Sequence, residues 1–299
     1  MSGDVSNTPM VSVGLPVYNG EAYLRQSLDS LLAQDYQDFE IVLSDNASTD
    51  GTPRICQEYA SRDRRVISHR NSENVGPIRN FVRVLELARG PHFMWAGHDD
   101  LWSKNYISAM VSCFDANHGL ALAAAKTVYI DELGNLIDRA SASAPPRRAA
   151  GPIQTVDQYL SAQATSWIYG MFDREVLRAV MPRFDRFRIV KGSDVVFMSE
   201  FCLQHSVAGD DNAIIYKRLA GARDWAPRTP RQKVGWQVEF TRLLLGTVAT
   251  AGLSLADRAR LLRIYFPYLR RFAFRGGPRR VGLTWLRASS QWCRGLDRV

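Results

Sequence analysis

Over the first hundred residues short apolar runs alternate with helix-spaced amphipathic segments, and two of the runs lead into acidic residues. Val11 to Val17, Phe39 to Ser44, Val66 to Ser68 and Phe93 to Ala96 read as strands. Between them Leu24, Leu28, Leu31 and Leu32 recur at helical spacing, which predicts a helix over Glu21 to Gln34. Thr52-Pro53 gives a helix start, a capping hydroxyl followed by Pro at the first helical position. Ile78 to Ala88 predicts another helix, ended by Gly90-Pro91. Such alternation is the pattern of a parallel sheet with crossover helices.

Sheets of this kind bind ligands outside the carboxyl ends of their strands. The acids there are Asp45, after Ile41-Val42-Leu43-Ser44, and the pair Asp99-Asp100, after Phe93-Met94-Trp95-Ala96-Gly97. Adjacent hard oxygen donors at such an edge suit a divalent cation carrying a phosphorylated substrate. The expectation is nucleotide chemistry.

Downstream, Ser103 to Asn117 reads as a helix and Leu120 to Ile130 as a strand. Ala140 to Pro152, rich in Ala, Ser, Pro and Arg, reads as a loop. Helices are expected around Val156 to Ala162, Asp173 to Val180 and Ser193 to Leu203, with an apolar run at Trp167 to Phe172 and a late strand at Ala213 to Arg218. The expected division is a frayed segment at 1–9, a catalytic domain at 10–225 with halves 10–130 and 131–225, and a basic helical region at 226–299. The tail carries the charge. Of 38 Lys and Arg and 30 Asp and Glu, 14 and 3 lie from Pro230 onward, which leaves the rest slightly acidic. The four cysteines and five histidines are scattered without metal-like spacing, as expected of a reduced chain without a zinc site. The N-terminus lacks a signal-like apolar region, and the tail's apolar stretch Leu243 to Ala256 is 14 residues long. A bilayer span needs about 20, so the expected location is cytoplasmic, without a membrane-spanning helix.

Three motifs in order carry a family resemblance. Val11-Ser12-Val13-Gly14-Leu15-Pro16-Val17-Tyr18-Asn19, Ser44-Asp45-Asn46-Ala47-Ser48-Thr49-Asp50-Gly51-Thr52 and His98-Asp99-Asp100 resemble the inverting glycosyltransferases of family 2, over roughly residues 10 to 130 and more loosely to about 220. The resemblance implies the nucleotide-sugar-binding GT-A fold, an α/β fold with a mixed, mostly parallel sheet and flanking helices. It also implies an activity: inverting transfer of a sugar from a UDP- or dTDP-sugar to a glycan or lipid-linked acceptor in bacterial surface polysaccharide synthesis.

The resemblance assigns roles by position. Asp100 would ligate Mg²⁺ or Mn²⁺ bridging the diphosphate, and Asp99 would hydrogen-bond the ribose. Asp45 would accept the imide N–H of uracil, which a carboxylate can do because it offers lone pairs and no proton. Pro16 and Tyr18 would line the base pocket, and Arg79, beyond Asn74-Val75-Gly76, would reach the nucleotide with its fork of donors. Asp194, opening a helix after Lys191-Gly192, would be the base that deprotonates the acceptor hydroxyl. Trp167 or Tyr169 would contact the acceptor sugar. His98 stands where many relatives carry Asp, Ser or Thr.

In the tail, Leu261, Leu262, Tyr265, Phe266 and Leu269 are expected on one side of a helix, with Arg258, Arg260, Arg263, Arg270 and Arg271 around it. That pattern suits a helix lying on an anionic membrane or one packed on the catalytic domain. No nucleic-acid recognition motif accompanies the charge. Two other readings stay open, a catalytically idle nucleotide-sugar-binding scaffold at the membrane and a sugar-phosphate nucleotidyltransferase. The second would need a Gly-rich, basic N-terminal loop, and Pro16-Val17-Tyr18-Asn19-Gly20 is neither.

Overall fold

The computed structural model describes residues 8–138, 144–145, 148, 150–161, 165–182, 192–219 and 229–274. Most of the expected loop at Ala140 to Pro152, and the tail beyond residue 274 with its Gly276-Gly277-Pro278 break, lie outside the described residues.

The expected alternation is present: β1 (Val11–Val17), α1 (Leu24–Leu32), β2 (Phe39–Asp45), α2 (Thr52–Arg62), β3 (Val66–Arg70), α3 (Pro77–Leu87) and β4 (His92–Trp95). There follow β5 (Leu101–Trp102), α4 (Tyr106–Ala116), β6 (Leu122–Ile130), α5 (Pro152–Ser161), a 3₁₀ turn at Thr165–Tyr169, β7 (Met171–Asp173), α6 (Arg174–Val180), α7 (Ser193–Gln204) and β8 (Val207–Arg218). The chain continues into α8 (Pro230–Thr250) and α9 (Leu255–Phe274).

Eight strands form one sheet in the order β3-β2-β1-β4-β7-β6-β8-β5. The first four run parallel to one another, β7 is antiparallel to both β4 and β6, β6 and β8 are parallel, and β5 is antiparallel to β8. β1 and β2 are buried at every position, as expected of strands covered on both faces. One face packs Leu24, Leu28 and Leu31 of α1, Ile55 and Tyr59 of α2 and Ile107 and Met110 of α4. The opposite face packs Val84 of α3, Val156 and Tyr159 of α5, Val196 and Phe201 of α7, and Phe240, Leu244, Leu261 and Tyr265 of α8 and α9.

Three local expectations change. The run Trp167 to Phe172 is split between the 3₁₀ turn and the short β7. β8 begins six residues earlier than expected, and its pairing with β6 shifts register between Ala125 and Lys126, so Asp211 to Ala213 are passed over. Such a bulge blurs the alternation that sequence reading relies on. The apolar set of α9 does not share one side: Leu261 and Tyr265 are fully buried, whereas Phe266 is 71% exposed and Leu262 45%. Consecutive helical residues point about 100° apart, so 261/265 and 262/266 lie on different stripes.

At the amino ends of the central strands, Glu40 is buried and receives Arg89 Nε and Nη2 at 2.8 and 2.7 Å, the Arg89 N–H at 2.9 Å and the Ser12 hydroxyl at 2.6 Å. The turn after α3 is thereby fastened to β1 and β2 on the side remote from the carboxyl edge.

Candidate active site

β1 has β2 on one side and β4 on the other, so the chain winds in opposite directions from it, which makes the space beyond its carboxyl end the expected ligand crevice. Pairing of β1 with β4 stops at Gly14, leaving Pro16 where no donor toward β4 is required. Pro16 is buried, and Tyr18 just beyond it is 44% exposed at the mouth.

The loops after β1 and β2 are latched together. The Asn19 N–H donates to Ser48 Oγ at 2.9 Å and Asn19 Oδ1 accepts the Thr49 N–H at 2.9 Å. The Glu21 N–H donates to Asp50 Oδ2 at 3.1 Å, and Glu21 Oε2 accepts the Gly51 N–H at 2.9 Å. Asn19 and Ala47 carry positive φ of 50° and 58°. Asn tolerates this conformation, but Ala does so under strain, as is common at ligand-binding loops.

Asp45 ends β2 and is buried. Its Oδ1 accepts the Ser48 N–H at 3.0 Å. Its Oδ2 has no hydrogen bond of acceptable geometry, although Arg70 Nη1 lies 3.0 Å away. The distance marks an ion pair with poor alignment, so Oδ2 keeps acceptor capacity for a ligand N–H. Arg70, half exposed, ends β3 opposite Asp45 in register and also donates to Ser48 O at 3.0 Å. Sequence reading missed Arg70 because strand 3 was expected to stop at Ser68. Extending the strand by two residues would have found it.

Behind these loops Asn46, Asn71, Asn74 and Asn80 share a hydrogen-bonded network with Ser44. Asn80 is buried in it, whereas its neighbour Arg79 faces solvent on the first turn of α3.

The segment after β4 carries the other two acids. A Cβ added at Gly97 would lie 2.5 Å from Asp100 Oδ2 and 3.2 Å from Asp99 Oδ1, so both carboxylates approach the space that Gly97 leaves open. His98 is partly exposed and its ring packs over Gly20, where a Cβ would come within 2.8 Å of Cδ2. Asp99 is partly exposed, but Asp100 is completely buried. Both oxygens of Asp100 are engaged: Oδ2 by the Lys217 ammonium at 2.5 Å and Oδ1 by the Arg218 N–H at 3.1 Å. Burial pushes the Asp100 carboxyl upward while the Lys217 charge pulls it back. For Lys217, burial opposes the charge and Asp100 outweighs it, so its pKa is raised and the ammonium persists. Lys217 Nζ also stands 4.0 Å from the centroid of the Tyr169 ring.

Arg218, fully buried, donates through Nε to Asp99 O at 2.9 Å, through Nη1 to Asp131 O and Glu132 O at 3.0 and 2.8 Å, and through Nη2 to Gln26 Oε1 at 2.8 Å. It ties the Asp99 peptide to α1 and to the loop after β6. Neither Lys217 nor Arg218 was singled out from sequence; adjacent cations closing a strand that ends at the ligand-binding edge were the available signal.

The divalent ion expected at Asp100 can be tested against this donor set. An ion ligated by Oδ2 at about 2.1 Å would share that oxygen with an ammonium 2.5 Å away. The arrangement does not fit a metal at Asp100, and of the adjacent pair only Asp99 is partly exposed. Among the described residues no group of three or more His, Cys, Asp or Glu side chains is placed to hold an ion.

On the acceptor side, Trp167 is buried against Tyr159, with ring centroids 5.5 Å apart, and Tyr169 is partly buried beside Lys217. Trp167 therefore belongs to the core in this conformation. Asp194 lies in the first turn of α7. Burial, followed by the charge of Asp194, raises the Tyr159 phenol well above its usual range. The Cys56 thiol is pushed up to about 12 and Cys202 upward by burial, which leaves both unsuited to nucleophilic work.

The sequence model of Glycosyl transferase family 2 matches residues 12–181. The chain belongs to this family. Among curated relatives, the abequosyltransferase RfbV of Salmonella typhimurium is 34% identical over 125 residues, 41% of this chain and 38% of its own length. An uncharacterized glycosyltransferase of Haemophilus influenzae is 32% identical over 131 residues, 44% of this chain and 52% of its own length. These alignments span about a third to a half of the relatives. S. aureus TarS 1-349 in complex with UDP-GlcNAc superposes with a TM-score of 0.69 at 20% identity, covering 93% of this chain and 79% of that one. The mannosyltransferase PcManGT of Pyrobaculum calidifontis, in complex with GDP-Man and Mn²⁺, gives 0.55 at 17% identity, covering 96% and 81%. The shared architecture is the GT-A fold.

Proposed function

We propose that this family member transfers a sugar, with inversion, from a UDP- or dTDP-sugar to a glycan or lipid-linked acceptor in surface polysaccharide synthesis. The observation that carries the reading is the position of Tyr18, Asp45 and Asp99 at or just beyond the carboxyl ends of the adjacent strands β1, β2 and β4. The free acceptor capacity of Asp45 Oδ2 suits the imide N–H of uracil or thymine, and the exposed Tyr18 ring offers a stacking face. Asp99 stands where a ribose hydroxyl would be accepted, and Pro16 shapes the floor. Arg79 reaches the nucleotide only from solvent.

Asp194 takes the acceptor hydroxyl proton as that oxygen attacks the anomeric carbon opposite the leaving diphosphate. Tyr169 is the aromatic surface offered to such an acceptor; Trp167 packs in the core against Tyr159. A Mn²⁺ or Mg²⁺ ion, if bound, would supply Lewis-acid stabilisation of the diphosphate. At this edge it would rely on Asp99 and the phosphates, because Lys217 occupies Asp100.

Leu255, Leu262 and Phe266 face outward on α9, flanked by the exposed Arg260, Arg263 and Arg270. Apolar and Arg side chains together on one exposed helix support docking on an anionic membrane surface, where a lipid-linked acceptor resides. No helix among the described residues is long and apolar enough to cross a membrane.

A thermal-shift and calorimetric screen of UDP, dTDP, GDP and CDP and of their sugars, followed by detection of released nucleoside diphosphate with candidate acceptors, tests the proposal. Absence of any pyrimidine-nucleotide binding would sink it. Binding without turnover would favour the idle scaffold, and pyrophosphate release from a nucleoside triphosphate and a sugar phosphate would favour the nucleotidyltransferase.

A further inference from the structure

Asp45 and Asp100, the two buried carboxylates of the crevice edge, are each paired with a cation from the chain itself. Asp45 has Arg70 at 3.0 Å, and Asp100 has Lys217 at 2.5 Å. The buried Arg218 adds a second positive charge beside Asp99, through its bond to the Asp99 carbonyl. Asp99 and Asp100 together carry two negative charges, and Lys217 and Arg218 carry two positive ones. A site built to capture a divalent cation gains from excess negative charge before the ion arrives; this one is already neutral.

Lys217 is the cation with reach. Its ammonium has three donor positions. One is spent on Asp100 Oδ2, the Tyr169 ring lies on another side at 4.0 Å, and the side chain is still 15% exposed. Its place next to last in β8 brings its ammonium to Asp100 Oδ2, at the space in front of Gly97 that the two carboxylates border.

We propose that Lys217 is the built-in counter-cation for the donor diphosphate, taking the place at Asp100 that a divalent ion would otherwise hold, so that nucleotide binding needs no metal. The inference rests on the nucleotide-sugar reading above. Lys217 stabilises the negative charge on the diphosphate by a charge-assisted hydrogen bond, and Asp100 positions the ammonium rather than ligating an ion. The Tyr169 ring, 4.0 Å from Nζ, packs against the ammonium.

The experiment measures UDP binding to the full-length protein by calorimetry in EDTA and in Mn²⁺, and measures Mn²⁺ binding alone by electron paramagnetic resonance. For the wild type the expected UDP affinities in EDTA and Mn²⁺ agree within about threefold, because Coulomb stabilisation is already present. Lys217→Met should weaken UDP binding in EDTA by about tenfold or more, the loss of one charge-assisted hydrogen bond. It should also bind free Mn²⁺ more tightly than the wild type, since Asp100 is released, and Mn²⁺ should restore part of its UDP affinity.

The double variant Lys217→Met/Asp100→Asn removes both charges and so avoids a lone buried carboxylate should the single variant fail to fold. It should lose the same metal-independent affinity without any Mn²⁺ rescue. Wild-type UDP binding that falls more than about tenfold in EDTA would overturn the proposal, as would folded Lys217 variants that bind UDP as the wild type does. A wild type that binds no nucleotide diphosphate, with or without Mn²⁺, would overturn the nucleotide reading and this proposal together. That outcome is distinct from metal-dependent UDP binding, which would overturn only the proposal.

Discussion

Replacing Asp45 by Asn exchanges a charge for a dipole without changing shape, and the surroundings dictate how the amide must sit. The Ser48 N–H at 3.0 Å requires an oxygen at the Oδ1 position. The amide NH₂ is therefore forced into the Oδ2 position, facing the Arg70 guanidinium now 3.0 Å away. Two donors then confront each other, and a uracil imide N–H arriving at the same place meets a third. A hydrogen bond to a charged group contributes about 1.5–3 kcal/mol, so UDP affinity should fall about 10- to 100-fold. Cytosine presents a ring-nitrogen acceptor at the corresponding position, so CDP should lose less than UDP or gain. Calorimetric titration of both nucleotides into wild type and Asp45→Asn measures the two changes side by side. An equal loss for UDP and CDP would mean that the variant disturbs the loop rather than the base contact. Unchanged UDP affinity would refute the placement of the base at Asp45 altogether.

Other consequences are accessible to simple assays. Asp194→Asn should leave UDP affinity within about threefold and lower turnover by at least about 100-fold, the usual contribution of a general base; undiminished turnover would move that role elsewhere. Arg89→Ala leaves Glu40 as a buried anion held by the Ser12 hydroxyl and the backbone N–H of residue 89, and should cost about 3 kcal/mol in urea unfolding. Glu40→Gln, which keeps shape and removes charge, should cost less. Leu262→Ser/Phe266→Ser should reduce co-sedimentation with anionic vesicles several-fold while leaving the melting temperature within a few degrees, because both side chains face solvent. Equal sedimentation of wild type and variant would argue against a membrane role for α9.

The first half of the molecule was legible because its signals are local. Strands covered on both faces read as continuous apolar runs, and Leu24, Leu28 and Leu31 write the helix period directly. Asp45 and Asp99-Asp100 could be placed at the edge because each follows such a run. The second half was less legible because its information is long-range. Whether Trp167 faces a ligand or Tyr159 depends on the packing of α5, which no periodicity within the 165–172 run reports. The bulge that lengthens β8 breaks the alternation of inward and outward residues at the point where the strand turns toward the crevice. The two stripes of α9 differ by one residue in register, so an apolar set reads as one face until its neighbours are known.

Long-range packing is also why the pair Asp99-Asp100 reads ambiguously from sequence: its two members differ in burial, not in the space they border. Asp99 lies in the turn after β4 and stays partly exposed, whereas its neighbour, next to β5, enters the fold although both carboxylates border the space at Gly97. Here the buried member is Asp100, and a buried carboxylate needs a partner to remain ionised. β8 supplies one in Lys217 and adds the Arg218 N–H to the second oxygen. The side chain of Arg218 then secures the peptide that carries Asp99. The exposed acid is thus held in place by the machinery that satisfies the buried one, so Asp99 and Asp100 are energetically coupled. A double-mutant cycle between Asp100→Asn and Asp99→Asn, read in UDP affinity, should show coupling of at least about 0.5 kcal/mol, and strictly additive effects would break this link between the two acids.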